Sequence, residues 1–208
     1  MENQTVLNIL RSMPLALVIM RFLIGVIIFA YAKNKSFQKF FLAFFIVGFF
    51  SDFLDGFIAR RVGHIPRIVG VLDGYADITL YISTLYFLLK NYSDSLRKYR
   101  YYVFGLIGLI LISWLFCYLK FGKLTSYHPY SAKLFGISIF LFVAGIYILK
   151  KGIFFPLLII FGLLNISEEI AITYVMPYYR VSISSIKEAI KLADAYNTKH
   201  KDMKYEKK

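Results

Sequence analysis

Long apolar runs alternate with short polar segments along this chain. The runs fall at 14–33, 37–62, 67–90, 100–119, 132–149 and 152–176. Each is about the length a helix needs to cross a bilayer core of about 30 Å. They are too long and too evenly apolar for barrel strands, which alternate. Lipid otherwise accepts only helices, because every backbone polar group must be satisfied within the segment. The pattern predicts an all-α integral membrane protein of six transmembrane helices, with short amphipathic ends on the cytoplasmic side. Residues 1–12 form an N-terminal juxtamembrane lead, 13–180 the six-helix membrane domain and 181–208 a basic tail. In the tail, Ser185 and Glu188 have capping-box spacing. Ile186, Ala189, Ile190 and Ala193 form one apolar stripe, so a short amphipathic helix is expected there. A polar, disordered end is expected from about Asn197.

Composition agrees with the pattern. The chain is 59% hydrophobic, against about 45–50% for a soluble domain. Tyrosines gather at the run ends, as in Tyr99, Tyr101 and Tyr102 or Tyr174, Tyr178 and Tyr179, where interfacial belts form. The net charge of +13 does not point to nucleic acid, since no recognition motif accompanies it. The basic residues lie between the runs, where the positive-inside rule and anionic headgroups account for them. The single cysteine, Cys117, excludes an internal disulfide framework and reads as a small core hydrophobe. No cleavable signal is legible in the first run. Placing both termini in the cytoplasm puts the basic tail on that side, while the short loops nearly tie.

The second run ends Asp52-Phe-Leu-Asp55-Gly56-Phe-Ile-Ala59-Arg60, and the third begins Gly70-Val-Leu-Asp73-Gly-Tyr-Ala-Asp77. On helices, Asp52 and Asp55 share a face, and so do Asp73 and Asp77. Paired as a hairpin, the two helices would converge four carboxylates near one membrane surface. A carboxylate in the middle of a span costs about 2.5–3.5 kcal/mol on insertion scales, so four unpaired ones would cost on the order of 10 kcal/mol. Arg60 can balance only one. Hard oxygen donors without His or Cys select Mg²⁺ or Mn²⁺, and also Ca²⁺, over zinc. Two such cations about 4 Å apart are suited to phosphoryl chemistry. His64 reads as a loop residue. Gly56, Ala59, Gly70 and Gly74 leave room for a substrate or for a neighbouring backbone.

These residues resemble the signature of the CDP-alcohol phosphatidyltransferases: D-x-x-D-G-x-x-A-R, eight residues, G, three residues, D, three residues, D. The match holds at Asp52, Asp55, Gly56, Ala59, Arg60, Asp73 and Asp77. It departs at the second glycine, where this chain has Val69 and the glycine follows at Gly70. Met13-Pro14 through Arg21 is similar to the family's opening segment, and the resemblance covers about residues 13–176. It implies Asp52, Asp55 and Asp73 as metal ligands. It also implies Asp77 as general base and possible ligand, and a homodimer with a polar cavity open to the cytoplasm. The implied reaction is transfer of a phosphatidyl group from CDP-diacylglycerol to an alcohol acceptor, with release of CMP. Arg60, Gly56, Ala59 and Gly70 are expected beside the CDP-lipid. Lys133, with Lys123 and Arg180, is expected near an acceptor phosphate such as that of glycerol 3-phosphate. A cation-coupled transporter also uses intramembrane carboxylates, but these cluster on one hairpin and no inverted repeat is visible. A catalytically weakened family member is the other alternative, suggested by Val69.

Overall fold

The computed structural model describes the backbone of residues 2–62, 67–127 and 129–205. Within that range, the side chains of residues 2–12, 53, 55–62, 67, 68, 71 and 199–205 lie outside the description. Among the described residues the secondary structure is helical throughout. The elements are α1 (Glu2–Tyr31), α2 (Phe41–Val62), α3 (Arg67–Asn91), a single turn α4 (Ser93–Leu96), α5 (Arg100–Phe121), α6 (Tyr130–Ala144), α7 (Phe155–Val175) and α8 (Ile186–Tyr205). A π-helical turn, Gly145–Leu149, continues α6.

Among the described residues, four segments are long and apolar enough to cross a membrane: Met13–Tyr31, Arg100–Phe121, Tyr130–Leu149 and Phe155–Val175. Among the described residues, helix α2 contributes a shorter apolar stretch, Phe41–Asp52. Exposure marks the medium. On α1, Val18, Arg21, Ile24, Gly25 and Ile28 are buried at helical spacing. The opposite face, with Ile19, Phe22, Leu23, Val26 and Phe29, is exposed yet apolar. A helix apolar all round belongs in lipid. The protein is therefore a multi-pass, all-α membrane protein.

The chain forms two compact units. The first comprises Met1–Leu96 with Ile146–Lys150, and the second Arg97–Gly145 with Lys151–Lys208. In the first unit α1 packs along both α2 and α3, whereas α2 and α3 touch each other little. The expected α2–α3 hairpin is therefore amended: α1 stands between its two arms. Close approach is possible because Gly25 has no side chain. A Cβ there would lie 3.0 Å from the Leu80 backbone nitrogen and 2.9 Å from Thr79 Cγ2. At the far end of the unit, Asn91 Nδ2 donates to the Ala32 carbonyl at 2.7 Å and to that of Phe87 at 2.9 Å. That bond ties the end of α3 to the end of α1.

The α1–α3 contact makes a stability prediction. Gly25→Ala pushes a methyl group against backbone, which cannot rotate away, so about 1–3 kcal/mol of overpacking is expected. Gly105 and Gly108 face open space and serve as controls. Thermal unfolding in detergent should show a lowered midpoint for Gly25→Ala alone; equal midpoints for all three variants would contradict the packing account.

In the second unit α7 packs on α5, α6 and α8. Helix α5 ends at Gly122, whose φ of +66° is a left-handed cap that a glycine adopts at little cost. Cys117, Ile172, Met176, Ile183 and Ala189 form a buried cluster with Tyr127, so Cys117 is the core residue expected. Polar side chains of α7 are paired within the unit. Asn165 Nδ2 donates to Glu169 Oε1 at 3.1 Å, Ser113 Oγ to Glu169 Oε2 at 3.2 Å and Ser131 Oγ to Glu168 Oε2 at 2.6 Å. The Ile186 amide at the start of α8 donates to Glu168 Oε1 at 3.1 Å.

The tail departs from expectation in two respects. Half of the capping box forms, with the Glu188 amide donating to Ser185 Oγ at 3.4 Å. The Glu188 carboxylate turns instead to the Ser184 amide and hydroxyl, at 2.9 and 2.6 Å, and these bonds hold it below the usual carboxylate range. The helix also does not stop near Asn197 but runs to Tyr205. The segment from Ala195 to Tyr205 contains no Gly or Pro to break it, and its lysines propagate a helix well. At the other terminus, α1 begins at Glu2 and passes through Pro14, so the lead and the first span are one helix.

Candidate active site

Three of the four motif carboxylates can be placed. Asp52 sits in the middle of α2, and Asp73 and Asp77 lie in the first half of α3. Each is partly buried, and one ligand atom from each lies within 4.8 Å of the others. Helical spacing explains the Asp73–Asp77 pair, since residues four apart share a face. It does not explain Asp52, which reaches the pair across α1.

The group that joins them is Arg21. Its side chain is fully buried, in the middle of an apolar helix. Nη1 donates to Asp73 Oδ1 at 2.7 Å and to Asp77 Oδ1 at 2.5 Å, and it lies 3.4 Å from Asp52 Oδ1. Nε donates to Ser51 Oγ at 3.2 Å. The Ser51 hydroxyl in turn donates to the Gly48 carbonyl at 2.6 Å. A buried charge unpaired in lipid is costly, and this guanidinium and these carboxylates relieve one another. Among the described residues, one cation is set against three carboxylates.

Asp55, Gly56, Ala59 and Arg60 lie on α2, but their side chains fall outside the described residues, and His64 lies outside them altogether. Among the described residues, the cation in the cluster is Arg21, which the motif alone does not single out. An Arg in mid-span is itself a signal, because it demands a partner, but which partner depends on how the helices pack. Ser51 carries no such signal.

Val69 and Gly70 can be compared directly. Val69 is buried in a small cluster with Val18 of α1 and Ala76. Gly70 is exposed, and a Cβ on it or on Gly74 would meet nothing within 4 Å. The position where the pattern has glycine thus faces α1, and the shifted glycine faces open space. Lys133 belongs to the second unit, on α6, where it is exposed with its ammonium 5.3 Å from the centre of the Tyr130 ring. Lys123 lies 5.0 Å from the Tyr179 ring centre.

The sequence profile of the CDP-alcohol phosphatidyltransferase family matches residues 11–178. The chain belongs to that family. Neither a curated protein nor a solved structure matches it closely. CDP-alcohol phosphatidyltransferases move a phosphatidyl group from a CDP-alcohol to an acceptor and typically use divalent cations. The donor set fits that chemistry: converging carboxylates with no sulfur or imidazole suit a hard divalent ion. Among the described residues, α1 supplies a fixed positive charge, and α2 and α3 supply the carboxylates.

Proposed function

We propose that this protein transfers the phosphatidyl group of CDP-diacylglycerol to an alcohol acceptor and releases CMP. The observation that carries the reading is the convergence of Asp52, Asp73 and Asp77 from two helices in the family's signature order. Asp52, Asp55, Asp73 and Asp77 would hold two divalent cations, Mg²⁺ or Mn²⁺. When bound, these ions neutralise the pyrophosphate and the charge that develops during displacement. Arg60 adds positive charge beside the donor, and Gly56 and Ala59 let the nucleotide approach α2. Asp77 takes the proton of the acceptor hydroxyl. The acceptor oxygen then bonds to the phosphorus that carries diacylglycerol, and the bond from that phosphorus to CMP breaks, with CMP taking the electron pair. Close placement of the hydroxyl against this carboxylate favours the transfer.

The acceptor we favour is glycerol 3-phosphate, because Lys123, Lys133 and Arg180 supply cations suited to its phosphate. Six spans, both termini and the carboxylate cluster on the cytoplasmic side, and a homodimer complete the reading. It is supported by family membership and by the basic tail. The experiment is CMP release by the purified protein from CDP-diacylglycerol across a panel of glycerol 3-phosphate, serine, inositol phosphate and simple alcohols. One acceptor should stand out. No CMP release with any of them would remove the transferase reading for this chain.

Gly70 offers a sharper check on the donor site. A Cβ there would meet nothing within 4 Å, so Gly70→Val is expected to fit without disturbing the packing. If the shifted glycine lies against the CDP-lipid, the variant should raise the donor KM several-fold while leaving thermal stability unchanged. An unmoved KM would mean that Gly70 has not taken over the role of the missing glycine.

A further inference from the structure

The bonding of Arg21 is more ordered than charge neutralisation requires. Among the described residues, its guanidinium meets partners on both α2 and α3. On one side Nε is held by Ser51, whose own hydroxyl is anchored to the Gly48 carbonyl on α2. On the other, the single nitrogen Nη1 gathers Oδ1 of Asp73 and of Asp77 and lies near Oδ1 of Asp52. A planar fork with donors at fixed angles can do both at once; an ammonium, a single point on a flexible stem, cannot. Gly25, one turn further along α1 on the same buried face, permits the close approach to α3 that brings Arg21 within reach.

We propose that Arg21 and Ser51 form a positioning frame for the metal ligands. Arg21 holds Asp73 and Asp77 of α3 against Asp52 of α2 in the arrangement a divalent cation needs, and Ser51 stops the guanidinium from turning. The inference rests on the metal-dependent reading above. Its physical basis is repulsion: carboxylates this close drive one another apart when no cation is bound, and α2 and α3 have few direct contacts to resist that. A fixed guanidinium holds Oδ1 of Asp73 and of Asp77 in place. Partners that orient ligands in this way typically carry about 10- to 100-fold of metal affinity.

A different role for Arg21 predicts the opposite sign. If its guanidinium merely occupied the position of the ion and had to leave, removing it would tighten ion binding.

The test is Mn²⁺ binding to the full-length protein in detergent, followed by electron paramagnetic resonance, with the thermal midpoint measured in EDTA. Ser51→Ala should weaken Mn²⁺ binding by about 10-fold, at the lower end of that range, with its midpoint unchanged. Arg21→Gln should weaken binding further, and Arg21→Lys should recover only part of the loss. Unchanged or tighter Mn²⁺ binding in Ser51→Ala overturns the frame, and so does full recovery by Arg21→Lys. Should Arg21→Gln fail to fold, Ser51→Ala decides alone. Wild-type protein that binds no Mn²⁺ at millimolar concentration would overturn the metal reading and the frame with it. Wild-type binding that the variants leave unmoved overturns the frame alone.

Discussion

Chelation with EDTA should abolish CMP release completely, and excess Mg²⁺ or Mn²⁺ should restore it. The expectation follows from charge. Asp52, Asp73 and Asp77 converge within 4.8 Å, and the described cation among them is the one guanidinium of Arg21. A pyrophosphate brings further negative charge to the same place. Without divalent ions, the donor would meet a repulsive site, and nothing would stabilise the charge that develops on the leaving phosphate. The measurement is CMP release in EDTA followed by metal titration. Full activity in chelator would sink the two-metal reading. The protein should remain folded throughout, because Arg21 still pairs the carboxylates, so loss of activity in EDTA should not be accompanied by unfolding.

Asp77→Asn should lower turnover by about 10²-fold or more, the usual scale of general-base loss, with a much smaller change in donor binding. The substitution is conservative in shape. An Asn carbonyl oxygen can still accept the hydrogen bond from Arg21 Nη1, so the variant removes the charge and the basicity while keeping the contact. Asp52→Asn should act differently, weakening both metal and CDP-lipid binding, because it removes a ligand rather than a base. The geometry sharpens the comparison. Asp77 is not set apart from the other carboxylates along α3; its oxygen shares Nη1 with that of Asp73. A role as ligand therefore competes with the role as base, and a metal titration separates them. Restoration of wild-type turnover in Asp77→Asn by excess Mg²⁺ would make Asp77 mainly a ligand.

Much of this was legible without coordinates because it is local. Apolar runs of span length, the i to i+3 and i to i+4 spacing of the acidic residues, and the signature over residues 52–77 are properties of short stretches. They predict helices, shared faces and family. Local reasoning erred where local signals were weak. The polar segment after Asn197 has few apolar residues, yet it contains no helix breaker and continues as helix to Tyr205.

What the chain by itself determined is therefore the set of parts: a membrane protein of helices, an acidic motif split between two of them, and the reaction class of its family. What only the tertiary structure decided is how the parts are joined. Arg21 is separated from Asp52, Asp73 and Asp77 by 31, 52 and 56 positions, and no periodicity links them. They meet because α1 lies between α2 and α3, and α1 can lie close to α3 because Gly25 presents no side chain to Leu80. The same packing buries Val69 against α1 and leaves Gly70 facing open space, a difference that one step of 100° around a helix produces. Pairing of charges across helices depends on which faces the packed helices present to each other, and that is settled by the summed contacts of the whole unit.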